Sequence, residues 1–190
     1  MARPYALKRR AESQAETRQR IVDAAIELHG TIGPANTTIS MIAERAGVQR
    51  HTLYSHFPDE RSMLMACSGH SLEQDPLPDA GLWCDIADPG ERLQTGLRAI
   101  YDWYERNAGL VACVLGDAER HALVREISDL RYGPGIAGWH KILGANLNAK
   151  QRAMLALALS FHTWRTLTRD AGVRLIAAAK MMSQSVIDAR

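Results

Sequence analysis

Residues 37–64, TTISMIAERAGVQRHTLYSHFPDERSML, have the least freedom in what they can fold into. Thr37 and Thr38 offer hydroxyl caps to a run over residues 39–45, in which Ile42, Ala43 and Ala46 face inward. Gly47 follows, in the position where a left-handed residue ends a helix at least cost. A second short helix is expected over residues 49–56, and Phe57-Pro58 stops it because proline can neither continue a helix nor tolerate one just before it. Val48, Leu53 and Phe57 anchor this second helix, while Gln49, Arg50, His51 and Ser55 between them are polar. Two short helices about a glycine turn, the second apolar on one side and polar on the other, are the sequence form of a helix-turn-helix.

The rest of the chain is helical in period as well. Before the motif, Ile21, Val22, Ala25, Ile26 and Leu28 recur at spacings of three and four, which predicts a helix over residues 16–29 broken by Gly30, Gly33 and Pro34. After it, Asp59 and Glu60 open a fourth helix towards His70, with negative charge at its N-terminus. Pro76, Pro78, Gly81 and Pro89 make residues 75–89 a loop, and the domain boundary is expected nearby: residues 1–70 form one unit and 71–190 the other. Leu93, Leu97, Ile100, Tyr101 and Tyr104 form a stripe ending near Asn107 and Gly109, with a shorter apolar segment over residues 110–115. Further helices are expected over residues 121–130, continuing or restarting after Gly133-Pro134-Gly135 towards Leu143, then 149–169 as the strongest, and finally 173–189. No two-residue alternation is present, so the fold class is all-α.

Composition narrows the function. The longest apolar run, residues 153–159, is far short of the roughly 20 needed to span a bilayer. The first ten residues carry Arg3, Lys8, Arg9 and Arg10 with no apolar segment after them, so no secretory signal is expected. Three cysteines, Cys67, Cys84 and Cys113, lack a paired spacing and suit a reducing, cytoplasmic setting. The net charge is only +2, yet residues 1–20 hold six basic groups against two acidic ones, a leading arm able to approach phosphates or to remain a solvated tail. Gly-rich phosphate loops, nucleophile elbows and His-Glu-X-X-His patterns are absent, so no enzyme, cofactor, catalytic residue or metal site is expected.

Gly47-Val48, the polar triplet Gln49-Arg50-His51, Thr52, and Leu53-Tyr54-Ser55-His56-Phe57 together resemble the DNA-binding domain of the tetracycline-repressor (TetR) family. Ala24-Ala25, Gly33, Thr38, Ile42-Ala43 and Ala46 also sit where that family's pattern expects them, and the resemblance covers roughly residues 16–65. It implies an N-terminal three-helix helix-turn-helix domain followed by a helical bundle for effector binding and dimerisation. It makes Gln49, Arg50 and His51 the readers of base edges, with Ser40 beside them. Thr38, Thr52, Tyr54 and His56 would hold phosphates, although helix capping by Thr38 and packing by Tyr54 and His56 are equally compatible with their positions. The chemistry fits, since arginine can bind guanine through two bonds and glutamine can pair with adenine. Where the family has lysine after the Phe-Pro stop, this chain has Glu60, which moves that phosphate contact to Arg61 or the basic arm. His29 and Pro34 stand where the family favours aromatics.

The resemblance further implies a homodimer on double-stranded operator DNA, released by a small-molecule effector, with no membrane partner. Ala153, Ala156, Leu157, Ser160, Phe161 and Trp164 on one helix, and Ala178, Met181, Met182, Ser185 and Val186 on the next, suit either a dimer interface or an internal helix pair. Candidates for the effector pocket are Trp103, Tyr104, Cys113, His121, Trp139, His140, His162 and Arg165. Two alternatives stay open: a transcriptional activator of the same fold, and a small-molecule or metal/thiol sensor acting through a protein partner, for which Cys67 and His70 stand three apart on one helix.

Overall fold

A computed structural model of the chain describes the backbone of residues 3–190 and the side chains of residues 8–190. Arg3, counted above in the basic arm, therefore has a side chain outside the described residues. Among the described residues there is no strand. In order, the α-helices are α1 (Arg3–Thr31), α2 (Ile39–Ala46), α3 (Arg50–His56), α4 (Glu60–Gln74), α5 (Pro89–Ala118), α6 (Ala122–Leu143), α7 (Ala149–Leu159), α8 (Phe161–Arg165) and α9 (Leu175–Asp188). Short 3₁₀ turns occupy Pro34–Asn36 and Ala80–Trp83, and a π turn occupies Thr166–Asp170.

Short polar side chains start several of these helices. The Thr38 hydroxyl accepts from the Met41 N–H at 3.3 Å at the head of α2, and the Asp59 carboxylate accepts from Ser62 N–H at 2.7 Å at the head of α4. Asp88 does the same for Glu91 N–H at 2.7 Å, and Asn148 with Gln151 closes a reciprocal capping box on α7. Each cap satisfies a backbone donor that a helix start otherwise leaves unpaired.

The chain divides into two compact units, though not at a single cut: one comprises residues through Gln74 together with Ala112–Arg131, the other Asp75–Val111 with Tyr132–Arg190. In the first, α1 contributes Ile21, Val22, Ala24 and Ala25 to a core shared with Ile42, Ala43 and Ala46 of α2, Leu53 and Phe57, and Met63 and Cys67 of α4. A smaller cluster joins Leu64 to Val124 and Ile127. In the second unit Leu93, Leu97, Ile100, Tyr101, Trp139, Leu143, Leu155 and Trp164 are almost wholly buried. There α7 packs on α9, and the Gln151 side chain donates to the Ile187 carbonyl at 3.1 Å.

Several boundaries differ from expectation. α5 is one helix through Gly109, and α6 runs unbroken through Gly133-Pro134-Gly135. Pro134 is exposed, so the carbonyl it leaves without a helical partner can face water, and a Cβ on Gly135 would lie 2.6 Å from Leu77, so the missing side chain makes room for packing. The expected long helix over 149–169 is instead broken after Leu159. Ser160 is extended at φ −69°, ψ 132°, and its hydroxyl accepts from His162 N–H at 3.2 Å to start α8. The carbonyls released at the end of α7 are taken by buried tyrosines of α5: Tyr101 donates to Ala158 at 2.9 Å and Tyr104 to Leu159 at 2.7 Å. The break persists because its orphaned acceptors are satisfied from across the unit.

Candidate nucleic-acid interface

The turn between α2 and α3 is fixed by a glycine. Gly47 has φ 65°, ψ 40°, its N–H donates to Glu44 and that of Val48 to Ala43, which closes the end of α2 in the manner of a Schellman motif. Gln49, extended at φ −77°, ψ 150°, begins α3 without using its side chain as a cap. On the seven-residue α3, Leu53 is fully buried, as is Phe57 just beyond its end. With those two side chains in the core, Arg50, His51, Tyr54 and Ser55 are left on the outside and Thr52 and His56 half-buried. Tyr54 is 51% exposed, unusual for an aromatic ring in a well-formed core and suited to an external contact. The Ser55 hydroxyl is turned back to the Thr52 carbonyl at 2.7 Å. Ser40 is half-buried on α2, and the Thr38 hydroxyl is occupied as the cap of that helix.

Cations near this motif differ in how free they are. Arg50 has no hydrogen bond or ion pair among the described residues. Arg45 is held by Glu27, and the Arg18 guanidinium lies 4.8 Å above the Phe57 ring, bracing the end of α3 from α1. Arg61 is gripped by Glu126 through both ends of its fork, at 3.1 and 2.5 Å, which pushes the Glu126 carboxyl below its ordinary range and the guanidinium above its own. Its neighbour Glu60 faces His121 at 3.3 Å. Lys8, Arg9, Arg10, Arg18 and Arg20 are exposed along the first turns of α1, so this part of the basic arm is helical.

A second brace comes from Asp117, whose carboxylate accepts from Ala35 N–H at 2.8 Å. Gly33 has φ 88°, and a Cβ there would fall 2.5 Å from that carboxylate, so only glycine fits beneath it. Sequence reasoning missed Arg18 and Asp117 as supports of the motif and Glu126 as the partner of Arg61. Their partners lie 39, 82 and 65 positions away, and no local pattern marks them.

The pocket candidates do not form one group. Trp103 and Tyr104 meet edge-on at 5.8 Å, and Tyr104 continues to Phe161 at 5.4 Å and Trp164 at 5.9 Å. Trp139 is buried with its indole N–H on the Pro78 carbonyl at 2.8 Å, whereas His140, His162 and Arg165 are exposed. Cys113 and His121 belong to the other compact unit. The aromatic cluster gains Trp164, which is fully buried with an indole N–H lacking any partner among the described residues. For the sensor alternative, burial pushes the Cys67 thiol up to about 12, which keeps it protonated and unreactive. Among the described residues no three His, Cys, Asp or Glu are grouped to hold a metal, and no helix is long and apolar enough to cross a membrane.

This geometry is that of a helix-turn-helix. The profile described as "Bacterial regulatory proteins, tetR family" matches residues 21–67. The chain is 42% identical over 80 residues, 40% of its length, to the HTH-type transcriptional regulators SrpR and TtgW, both of Pseudomonas putida, covering 37% and 59% of those two proteins. Less than two thirds of either relative is thus matched. Among solved structures, Salmonella enterica GusR superposes with a TM-score of 0.64 at 18% identity, over 90% of this chain and 93% of that one, a likeness of fold. Residues 21–67 thus carry the sequence pattern of the TetR-family domain, and over the rest of the chain the likeness to the solved structures is one of fold.

Proposed function

We propose that this protein is a cytoplasmic repressor that binds a palindromic operator as a homodimer and leaves it when a small-molecule effector binds. Residues 1–70 carry DNA binding, and residues 71–190 carry dimerisation and effector binding. The observation that supports this most is the two-sidedness of α3: Leu53 and Phe57 are locked in the core while Arg50, His51 and Tyr54 stand exposed beside a helix start whose Gln49 amide is not spent on capping. Gln49, Arg50 and His51 then read bases in the major groove, and Tyr54, Thr52, His56 and Thr38 position the motif on phosphates. Dimerisation through α7 and α9 is supported by Leu157, Ile176 and Met181, which are 53%, 57% and 43% exposed on that helix pair. An effector among the aromatic side chains around Tyr104 favours a conformation with altered spacing of the two recognition helices, which lowers the DNA-competent population. Fluorescence anisotropy with a labelled duplex from the DNA upstream of its own coding region tests the reading. Binding that prefers this duplex to a scrambled one supports it, and indifference to sequence, or no binding at low salt, overturns it.

A further inference from the structure

The start of α4 carries an acid and a base side by side, and each meets a side chain from one segment, Ala112–Arg131: Glu60 meets the His121 ring at 3.3 Å and Arg61 meets the Glu126 carboxylate at 3.1 and 2.5 Å. The second pair is fork to fork, the geometry in which arginine also grips a phosphate. The end-on fork of Arg61, one N–H from each terminal nitrogen, is therefore already turned to the two carboxylate oxygens that a phosphate would have to replace there. The neighbouring carboxylates are otherwise engaged, Glu60 with His121 and Asp59 with Ser62 N–H at 2.7 Å, so Glu126 is the acid that matters to Arg61. Arg61 and Glu126 are 50% and 56% exposed, and ion pairs this open are weakly held, so an arriving phosphate can displace the carboxylate.

We propose that Glu126 is an internal competitor for the DNA phosphate that Arg61 would otherwise hold, and that this competition sets how tightly the chain grips its operator. This rests on the reading of residues 1–70 as the DNA-binding part. Glu126 touches no DNA itself; it acts through Arg61, as a positioning residue. Its effect belongs to affinity and salt dependence and not to choice of sequence, because a phosphate contact carries no base information.

The test is a set of anisotropy titrations of the full chain against the upstream duplex between about 50 and 200 mM KCl, for wild type, Glu126→Gln, Arg61→Gln and the double variant. Glu126→Gln is expected to tighten binding about five-fold and to steepen the plot of log affinity against log salt by about 0.9, one further phosphate neutralised. In the Arg61→Gln background the same change should gain nothing. Glu126→Ala should match Glu126→Gln, and both should melt as wild type does. Unchanged affinity in Glu126→Gln overturns the inference, and so does an equal gain without Arg61, which would mark a general effect of charge. A wild-type chain that binds no DNA overturns the DNA-binding reading and this inference together, whereas wild-type binding with no response to Glu126→Gln overturns the inference alone.

Discussion

His29 is buried on α1, and loss of water around its ring lowers its pKa from 6.5 to about 4, against an opposing pull from Asp117. Above pH 6.5 the ring is neutral folded or unfolded and costs nothing. As the pH falls from 6.5 towards 4, the unfolded chain takes up a proton that the folded one refuses, so stability is lost on acidification. The pKa difference predicts a loss of about 2 kcal/mol between about pH 7 and pH 5. Urea denaturation at both values should show it in the wild type and should show that much less acid dependence in His29→Phe, which replaces the imidazole with a ring that cannot titrate. Equal acid dependence in the two proteins would refute the assignment. The same segment illustrates what was readable at this scale. Gly33 and Gly47 stand out in the sequence as breaks, and both carry positive φ. That Gly33 must also make room for Asp117 was not readable, because the carboxylate arrives from 84 residues away.

Among the elements, the helix-turn-helix was the most legible. Thr38, Gly47 and Pro58 are local signals of capping, turning and stopping, and the observed bounds of α2 and α3 fall within a residue of those expected. The break after Leu159 was not, because residues 149–169 contain no glycine or proline and their apolar content suits a continuous helix. What decides the matter is tertiary: the hydroxyls of Tyr101 and Tyr104 on α5 take the carbonyls that the break exposes. In the sequence Tyr101 stands only in an apolar stripe and Tyr104 there and among the pocket candidates, and nothing local marks either as a partner of a broken helix. Tyr101→Phe and Tyr104→Phe should each cost about 1–3 kcal/mol in chemical denaturation, since each leaves a buried carbonyl without its donor. A neutral effect of both would mean that the carbonyls find other partners and that the break has a different origin.

For the whole molecule, the all-α class followed from the absence of strand-like alternation, while the composition of the two compact units did not. Residues Ala112–Arg131 join the N-terminal unit through Asp117, Glu126 and Arg131, whose guanidinium donates to the Met65 carbonyl at 2.9 Å, and through Val124 and Ile127. Such contacts between distant stretches leave no periodic trace. The residues expected for dimerisation divide in a similar way. Phe161, Trp164, Ala178, Met182 and Val186 are buried within the unit, while Ala153, Ala156, Leu157 and Met181 remain outside. If the proposed dimerisation through α7 and α9 holds, Leu157→Glu leaves folding intact and shifts the chain from dimer to monomer in sedimentation. A folded variant that stays dimeric would place the interface elsewhere.

In the proposed function α3 reads DNA sequence with its exposed side chains, and Arg50 is the sharpest point at which to test it. The decisive quantity is the ratio of affinities for the operator and a scrambled duplex, measured at one salt concentration for wild type and Arg50→Ala. Loss of one good two-bond contact to a base is worth about 1–3 kcal/mol, so the ratio should fall between roughly five-fold and a hundred-fold in Arg50→Ala, with the fold unchanged. A ratio that survives the substitution would contradict the assignment of sequence reading to this side chain.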